Sequence, residues 1–411
     1  MRDTYTMKEQ EEQININNLI TPCYVIHKDI LQEGIDLLKS SLEKHWNNYI
    51  VGYSFKTNSL PYVIGVMRST GFFAEVVSED EYHLARKYGF RDIIYNGPVK
   101  GRESFTDAIL REQIVNIDSK REVEWLKDID REDISVGIRV NFDIDSLCPG
   151  ETSAGDEGSR FGFSVESGEF AWVLDELARS GINVVGLHLH VGTKTRSVNV
   201  YRELVREACR LKKEYNLNLK YIDVGGGYFG GMDNKPKFPD YIRAIAEELH
   251  EQFTPNELTL IMEPGTSLIT PPIEYITTVV DTKKTYANTL VTVDGSRIDV
   301  DPLHRKSSYF STIEHMGVAD NRKRIDRQVI CGFTCMEDDR LFVVNNEAEL
   351  KCGDRIRISK VGGYTMCLTP LFIRYFPTVY LEQNSEYSVI REAWGVEEYS
   401  KKCTSYEGEI D

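Results

Sequence analysis

The 411 residues carry 49 lysines and arginines against 65 aspartates and glutamates, a formal charge of −16 with a pI near 5.1. That balance excludes a broad basic face for nucleic acid or an anionic membrane, while 41% hydrophobic and 28% charged residues suit a globular chain long enough for two domains. No apolar run reaches the ~18 residues of a membrane span, the first twelve residues lack the apolar region of a signal peptide, and eight dispersed cysteines without paired CxxC spacing point to reduced thiols, no zinc and a cytoplasmic chain. In chain order, residues 1 to about 20 are polar and read as frayed, and Thr21-Pro-Cys-Tyr-Val-Ile-His27 reads as a short strand. Leu31, Ile35, Leu38 and Leu42 recur at helical spacing, and the apolar run from Tyr49 then predicts a buried strand whose last residue is Lys56.

The alternation continues with a helix over 60–70, a strand over 71–78, a helix over 79–88 capped by Ser78, and further strands at 93–95, 114–117 and 135–141 separated by helical segments. About twenty irregular residues follow, a length that in a compact domain usually serves a function. Strands over 184–191, 219–224 and 258–262 then alternate with helices over 168–180, 201–215 and 241–252. Roughly eight such βα units between about 30 and 270 predict a closed (β/α)8 barrel with a parallel sheet. Beyond Pro271-Pro272 the pattern changes to short strands at 273–281, 289–293, 328–331, 341–344, 354–360 and 379–381, with charged 311–327 as an exposed excursion. The expected architecture is therefore a barrel over 30–272 and an all-β sandwich or barrel over 273–411, joined by the N-terminal strand within 1–29.

Chemistry gathers at predicted strand ends. Lys56 in a partly desolvated barrel mouth is expected to lose proton affinity, as a lysine that condenses with an aldehyde requires. His188 and His190 lie two residues apart on a strand and so share a face, with His190 nearer the end and His188 expected as a satisfied core residue. Gly225-Gly226-Gly227 can present successive backbone N–H groups to a phosphate, and Glu263, before Pro264-Gly265, can keep a pyridine nitrogen protonated. A lysine, a histidine, an anion cradle and a carboxylate on one rim suit pyridoxal phosphate.

Taken together, Tyr53-Ser-Phe-Lys56-Thr-Asn58, His190-Val-Gly-Thr193, Gly225-Gly-Gly227, Glu263-Pro-Gly265, Cys335 and Gly363-Tyr364-Thr365 resemble the motifs of the fold-type III pyridoxal phosphate decarboxylases in their usual order. That group holds ornithine, arginine and diaminopimelate decarboxylases on an alanine racemase-like barrel. The resemblance implies decarboxylation of an amino acid, as in polyamine biosynthesis and other amino acid metabolism, through a Schiff base at Lys56, with release of carbon dioxide and an amine. It implies that His190 stacks on the ring, that Glu263 pairs with the pyridinium, and that Thr193, Gly226, Gly227 and Tyr364 hold the phosphate, with Glu75 and Arg139 near the ring and lysine. Cys335 would return a proton to product across the interface of a homodimer with shared sites. Two departures stand out: Thr266 occupies a position that is arginine in relatives, and Met336 follows the cysteine where an acid usually reads the substrate. Asp299, Asp301 and Asp339 are the acids left for the distal end of the substrate, with Glu337 and Asp338 nearby. The alternatives are an amino acid racemase of the same fold, which Glu263 disfavours because alanine racemase places an arginine there, and a non-catalytic homologue that keeps the cofactor.

Overall fold

The computed structural model describes residues 15–153, 157–192, 195–317 and 322–404. The chain divides into two compact units, one of residues 32–271 with 362–367, the other of residues 1–31, 272–361 and 368–411.

In the first unit eight parallel strands, Tyr49–Ser54, Phe73–Val76, Ile93–Tyr95, Ile114–Ile117, Ser135–Asn141, Asn183–His188, Tyr221–Asp223 and Thr259–Met262, form a closed barrel. Pairing of the fourth strand with the fifth and of the eighth with the first leaves these eight strands no edge. Most are short runs rich in Val, Ile and Tyr, buried as parallel strands covered by helices must be. Helices follow the strands and set an apolar face inward, as Val198–Glu214 does with Val200, Leu204, Ala208 and Leu211.

The floor of the barrel is filled by one ring. A Cβ at Gly137 or Gly186 would stand 2.2 Å and 2.0 Å from Tyr221, so the two glycines make room for that side chain across the axis. Its ring joins Ile94 and Ile261 in an apolar layer, and its hydroxyl rises to donate to Asn116 Oδ1 at 2.8 Å. Above that layer the interior turns polar.

The second unit is built on a nine-stranded sheet. Cys23–His27 runs antiparallel to Ile273–Lys284 and parallel to Thr378–Gln383, so the N-terminal strand is an interior member of this sheet. The stretch expected as an exposed excursion is partly sheet instead: Phe310–Glu314 pairs with Arg355–Ser359, and Arg324–Cys331 pairs with Arg340–Ala348. Strands with one solvated face carry polar residues without losing their ladder, which is why charge alone misled there. Residues 1–14, part of the segment expected to fray, lie outside the described residues; Ile16–Asn18 forms a turn of 3-10 helix.

Candidate active site

A continuous path of hydrogen bonds climbs from the barrel floor to Lys56. Asn116 Nδ2 donates to Asn96 Oδ1 at 2.9 Å, and Asn96 Nδ2 is shared between Glu263 Oε1 at 2.6 Å and Glu75 Oε1 at 3.1 Å. The second oxygen of Glu75 accepts from Lys56 Nζ at 3.0 Å. Glu75 and Asn116 stand one residue inside the end of their strands and Lys56, Asn96 and Glu263 just past theirs, so five different strands converge on one polar layer.

Lys56 differs from expectation in two respects. Its strand ends at Ser54, and Phe55–Thr57 is a 3-10 turn held by Thr57 Oγ1 donating to Ser54 O at 2.7 Å. The turn lifts the amine over the mouth. Burial works against its charge, but the Glu75 and Glu263 carboxylates outweigh burial and hold the Lys56 ammonium above its ordinary range, opposite to the expected loss of proton affinity.

His190 Nδ1 accepts from Gly226 N–H at 3.1 Å, which places the ring proton on Nε2. Burial, then Lys56 and Arg139, hold the imidazole well below its usual range, so the ring is neutral. His188 lies 6.2 Å behind it with ring planes 12° apart. It is not the satisfied core residue expected: neither ring nitrogen has a hydrogen bond among the described residues, and Nε2 stands 3.5 Å from Glu263 Oε2. Arg139 is fixed by Asp118 Oδ2 at 3.0 Å and by His190 O at 3.2 Å, which braces the histidine loop. Asp223 is pushed well above the carboxylate range by burial and then by the neighbouring Glu263, so this close pair of acids binds a proton more tightly than a free carboxylate does. Glu81 is raised to about 7 by burial, opposed by the Val77 N–H it accepts. His188, Asp223 and Glu263 bring ligand-type atoms within 4.8 Å of one another, but all three belong to this layer.

The glycine turn is sterically required. A Cβ on Gly225 would lie 2.4 Å from the His190 ring, and one on Gly226 would lie 2.2 Å from Glu263 O. Among the described residues the Gly227 and Tyr228 amides meet no acceptor. Tyr364 N–H donates to Thr57 O at 2.9 Å, which sets Tyr364 beside the Lys56 turn. Thr193 lies outside the described residues.

In the second unit Cys335 is exposed between two strands. The acids expected to read a substrate are engaged otherwise. Asp299 accepts from Tyr275 Oη and Ser296 N–H, Asp301 from Arg305 and Lys306 N–H and from Arg297, and Asp339 from Ser296 Oγ, Arg297 N–H and Thr334. These carboxylates cap turns and hold the unit together, and Met336 N–H joins the same turn through Thr334 Oγ1 at 3.4 Å. Asn96, Asn116, Asp223 and Glu81 were not singled out from the sequence. For Asn96, Asn116 and Asp223 the signal was there as polar residues inside or just after apolar strand runs, which must find partners once buried, whereas Glu81 sits in the first turn of helix Glu79–Lys87 and carried no such signal.

The profile of the pyridoxal-dependent decarboxylases, pyridoxal binding domain, matches residues 33–270, more than half of the chain. The chain belongs to the pyridoxal-dependent decarboxylases. It is 25% identical over 365 residues to the diaminopimelate decarboxylase of Aquifex aeolicus, which covers 85% of this chain and 83% of that one, and 26% identical over 361 residues to that of Helicobacter pylori strain J99, covering 84% and 85%. In fold it is similar to the M. jannaschii diaminopimelate decarboxylase solved with L-lysine, with a TM-score of 0.82 at 22% identity over 94% of this chain and 92% of that chain. The arginine decarboxylase of Paramecium bursaria Chlorella virus superimposes with a TM-score of 0.74 at 20% identity, covering 89% and 96%. The chain is a pyridoxal phosphate-dependent amino acid decarboxylase, and the racemase alternative finds no support among these relatives.

The residues of the decarboxylase fit its cofactor. Among the described residues the Gly227 and Tyr228 amides meet no acceptor, the adjoining Gly225 and Gly226 leave no room for side chains, His188 carries orphaned buried nitrogens, and an amine stands among carboxylates on the rim. No helix among the described residues is long and apolar enough to cross a membrane.

Proposed function

We propose that the decarboxylase removes the carboxylate from the amino-bearing carbon of a diaminopimelate-type amino diacid, at a site completed by a second copy of the chain. The path from Glu263 through Asn96 and Glu75 to Lys56 carries this reading, because it ties the amine that would hold the aldehyde to the carboxylate that would face the pyridine nitrogen. Pyridoxal phosphate, when bound, supplies the sink for the electron pair left as carbon dioxide departs. Glu263 holds a proton at the pyridine nitrogen, and the raised proton affinity of Asp223 beside it limits the negative charge gathered there. The neutral ring of His190 offers a flat face without adding positive charge. Gly227, Thr193 and Tyr364 hold the phosphate together with the Tyr228 amide, whereas Gly226, expected to join them, spends its N–H on His190; Arg139 fixes the His190 loop, and Glu75 draws the Lys56 ammonium into place. Cys335 returns a proton to product from the partner subunit.

The diacid is favoured because relatives that cover more than four fifths of the chain are named for diaminopimelate. Asp299, Asp301 and Asp339 already meet protein donors, so another group must read the distal end. Carbon dioxide release should be measured from both enantiomers of ornithine, lysine and arginine and from all stereoisomers of diaminopimelate. One diaminopimelate isomer is expected to exceed the basic amino acids at least about a hundredfold, a difference of roughly 2.7 kcal/mol. Equal or better turnover of a basic amino acid overturns the substrate reading. Mixing inactive Lys56→Ala and Cys335→Ala subunits should restore one working site per heterodimer; proven heterodimer without recovery refutes the shared site.

A further inference from the structure

We propose that Arg196 is the cationic anchor for the cofactor phosphate, standing beside the Gly225-Gly226-Gly227 turn. This rests on the reading that the turn holds the phosphate. A phosphate monoester carries about −1.5 to −2 charges at neutral pH, and backbone amides with a neutral phenol supply only partial charges against it. Among the described residues, the other cations placed in the mouth are already paired, Lys56 with Glu75 and Arg139 with Asp118, at 3.0 Å each. Thr266, the first residue after Gly265, is uncharged and packs against Gly363.

Arg196 is half-buried and differs from both. Its Nη1 donates to Tyr228 O at 3.3 Å, the carbonyl one residue past the glycine turn, and its Cζ lies 5.3 Å from the Phe229 ring. Among the described residues no carboxylate lies within ion-pair distance of it, so most of a five-donor fork is unspent. The guanidinium also lies within electrostatic reach of Tyr364. Its backbone sits at φ +50°, in the left-handed region that non-glycine residues occupy at a cost, and is held there by Tyr241 Oη donating to Arg196 O at 2.6 Å. Tyr241 packs edge-on against Tyr201 and Tyr228, each 5.1 Å away, and Tyr201 Oη donates to Gly226 O at 2.9 Å. One tyrosine cluster therefore fixes both the arginine and the turn, which gives the strained backbone a purpose. Arg196 is expected to present its free edge to an anion cradled by the Gly227 and Tyr228 amides.

The full-length protein, stripped of cofactor, should be titrated with pyridoxal phosphate and separately with pyridoxal, which lacks the phosphate, with quenching of intrinsic fluorescence as the readout. Arg196→Gln is expected to weaken pyridoxal phosphate roughly ten- to a hundredfold while leaving pyridoxal unchanged, and Arg196→Lys to recover most of the loss. Wild-type affinity for pyridoxal phosphate in Arg196→Gln overturns the proposal. So does an equal loss of both ligands, which marks a structural role. The preference for pyridoxal phosphate over pyridoxal, read on Arg196→Lys and Arg196→Met, decides the same question if Arg196→Gln folds poorly. A wild-type protein without that preference refutes the phosphate turn itself, a result distinct from any failure of Arg196.

Discussion

Replacing Asn96 by alanine removes the group that joins the two site carboxylates. Asn96 is 2% exposed and donates to Glu263 and Glu75 at 2.6 Å and 3.1 Å while accepting from Asn116 at 2.9 Å. Hydrogen bonds to charged groups contribute about 1.5–3 kcal/mol each, so losing two costs about 3–6 kcal/mol. Asn116 Nδ2 keeps Asp223 Oδ2 at 3.3 Å, which limits its own loss, and water entering the polar hole lowers the total toward the bottom of the range. Urea unfolding of the cofactor-free protein should show a loss of about 3–4 kcal/mol at unchanged m-value, together with slower turnover of the loaded enzyme as Glu263 loses its orientation. Asn96→Asp adds a carboxylate to a layer that already holds Glu75, Asp223 and Glu263, so its folded pKa must rise, and the variant should be more stable near pH 5 than near pH 8. A loss below about 1 kcal/mol for Asn96→Ala would refute the idea that this amide organises the site.

Glu263→Gln should lower turnover by several powers of ten while cofactor affinity is kept, each tenfold step being about 1.4 kcal/mol; near-normal decarboxylation would contradict its role at the pyridine nitrogen. Asp223→Asn mimics the neutral form that burial and Glu263 favour and should retain far more activity than Glu263→Gln; equal loss in both would contradict the separate role given to Glu263. His27 is raised because hydrogen bonds and charge from Glu274 and Glu382, at 3.0 Å and 3.1 Å, override burial, so its stabilisation is full below about pH 6.5 and lost as pH rises through the higher folded value. Thermal midpoints of His27→Gln should therefore lack that alkaline decline, and parallel curves for variant and wild type would sink the assignment. For Glu81, raised by burial to about 7, the folded state binds its proton more tightly, so stability falls between about pH 4.5 and 7; Glu81→Gln should flatten that interval in pH-dependent unfolding.

Much of the barrel was legible because each strand is a short apolar run bounded by Gly, Pro, Asn or Asp, and because helical spacing recurs between them. Lys56, Gly225 to Gly227 and Glu263 were legible as chemistry placed at strand ends. What local pattern could not show is the traffic across the barrel. Nothing near Asn96 in sequence announces that its partners are Glu75, Asn116 and Glu263, since closure alone brings those strands together. The proton affinity of Lys56 was misjudged for the same reason: burial could be inferred from its strand, but the two carboxylates that outweigh burial come from other strands. Asp299, Asp301 and Asp339 looked available because their partners are backbone N–H groups and other polar groups of tight turns, which one-dimensional reading does not place. Strand Glu386–Arg391 escaped notice because its exposed, polar residues mimic a loop while its backbone pairs with Thr378–Gln383.

The central claim is that this chain carries its chemistry on pyridoxal phosphate held at Lys56. The most direct measurement is borohydride reduction of the loaded protein followed by peptide mass spectrometry. The account predicts one phosphopyridoxyl group per chain, located on Lys56 and absent from Lys56→Ala. Labelling of another lysine at equal yield, or a reducible adduct that persists in Lys56→Ala, would contradict it.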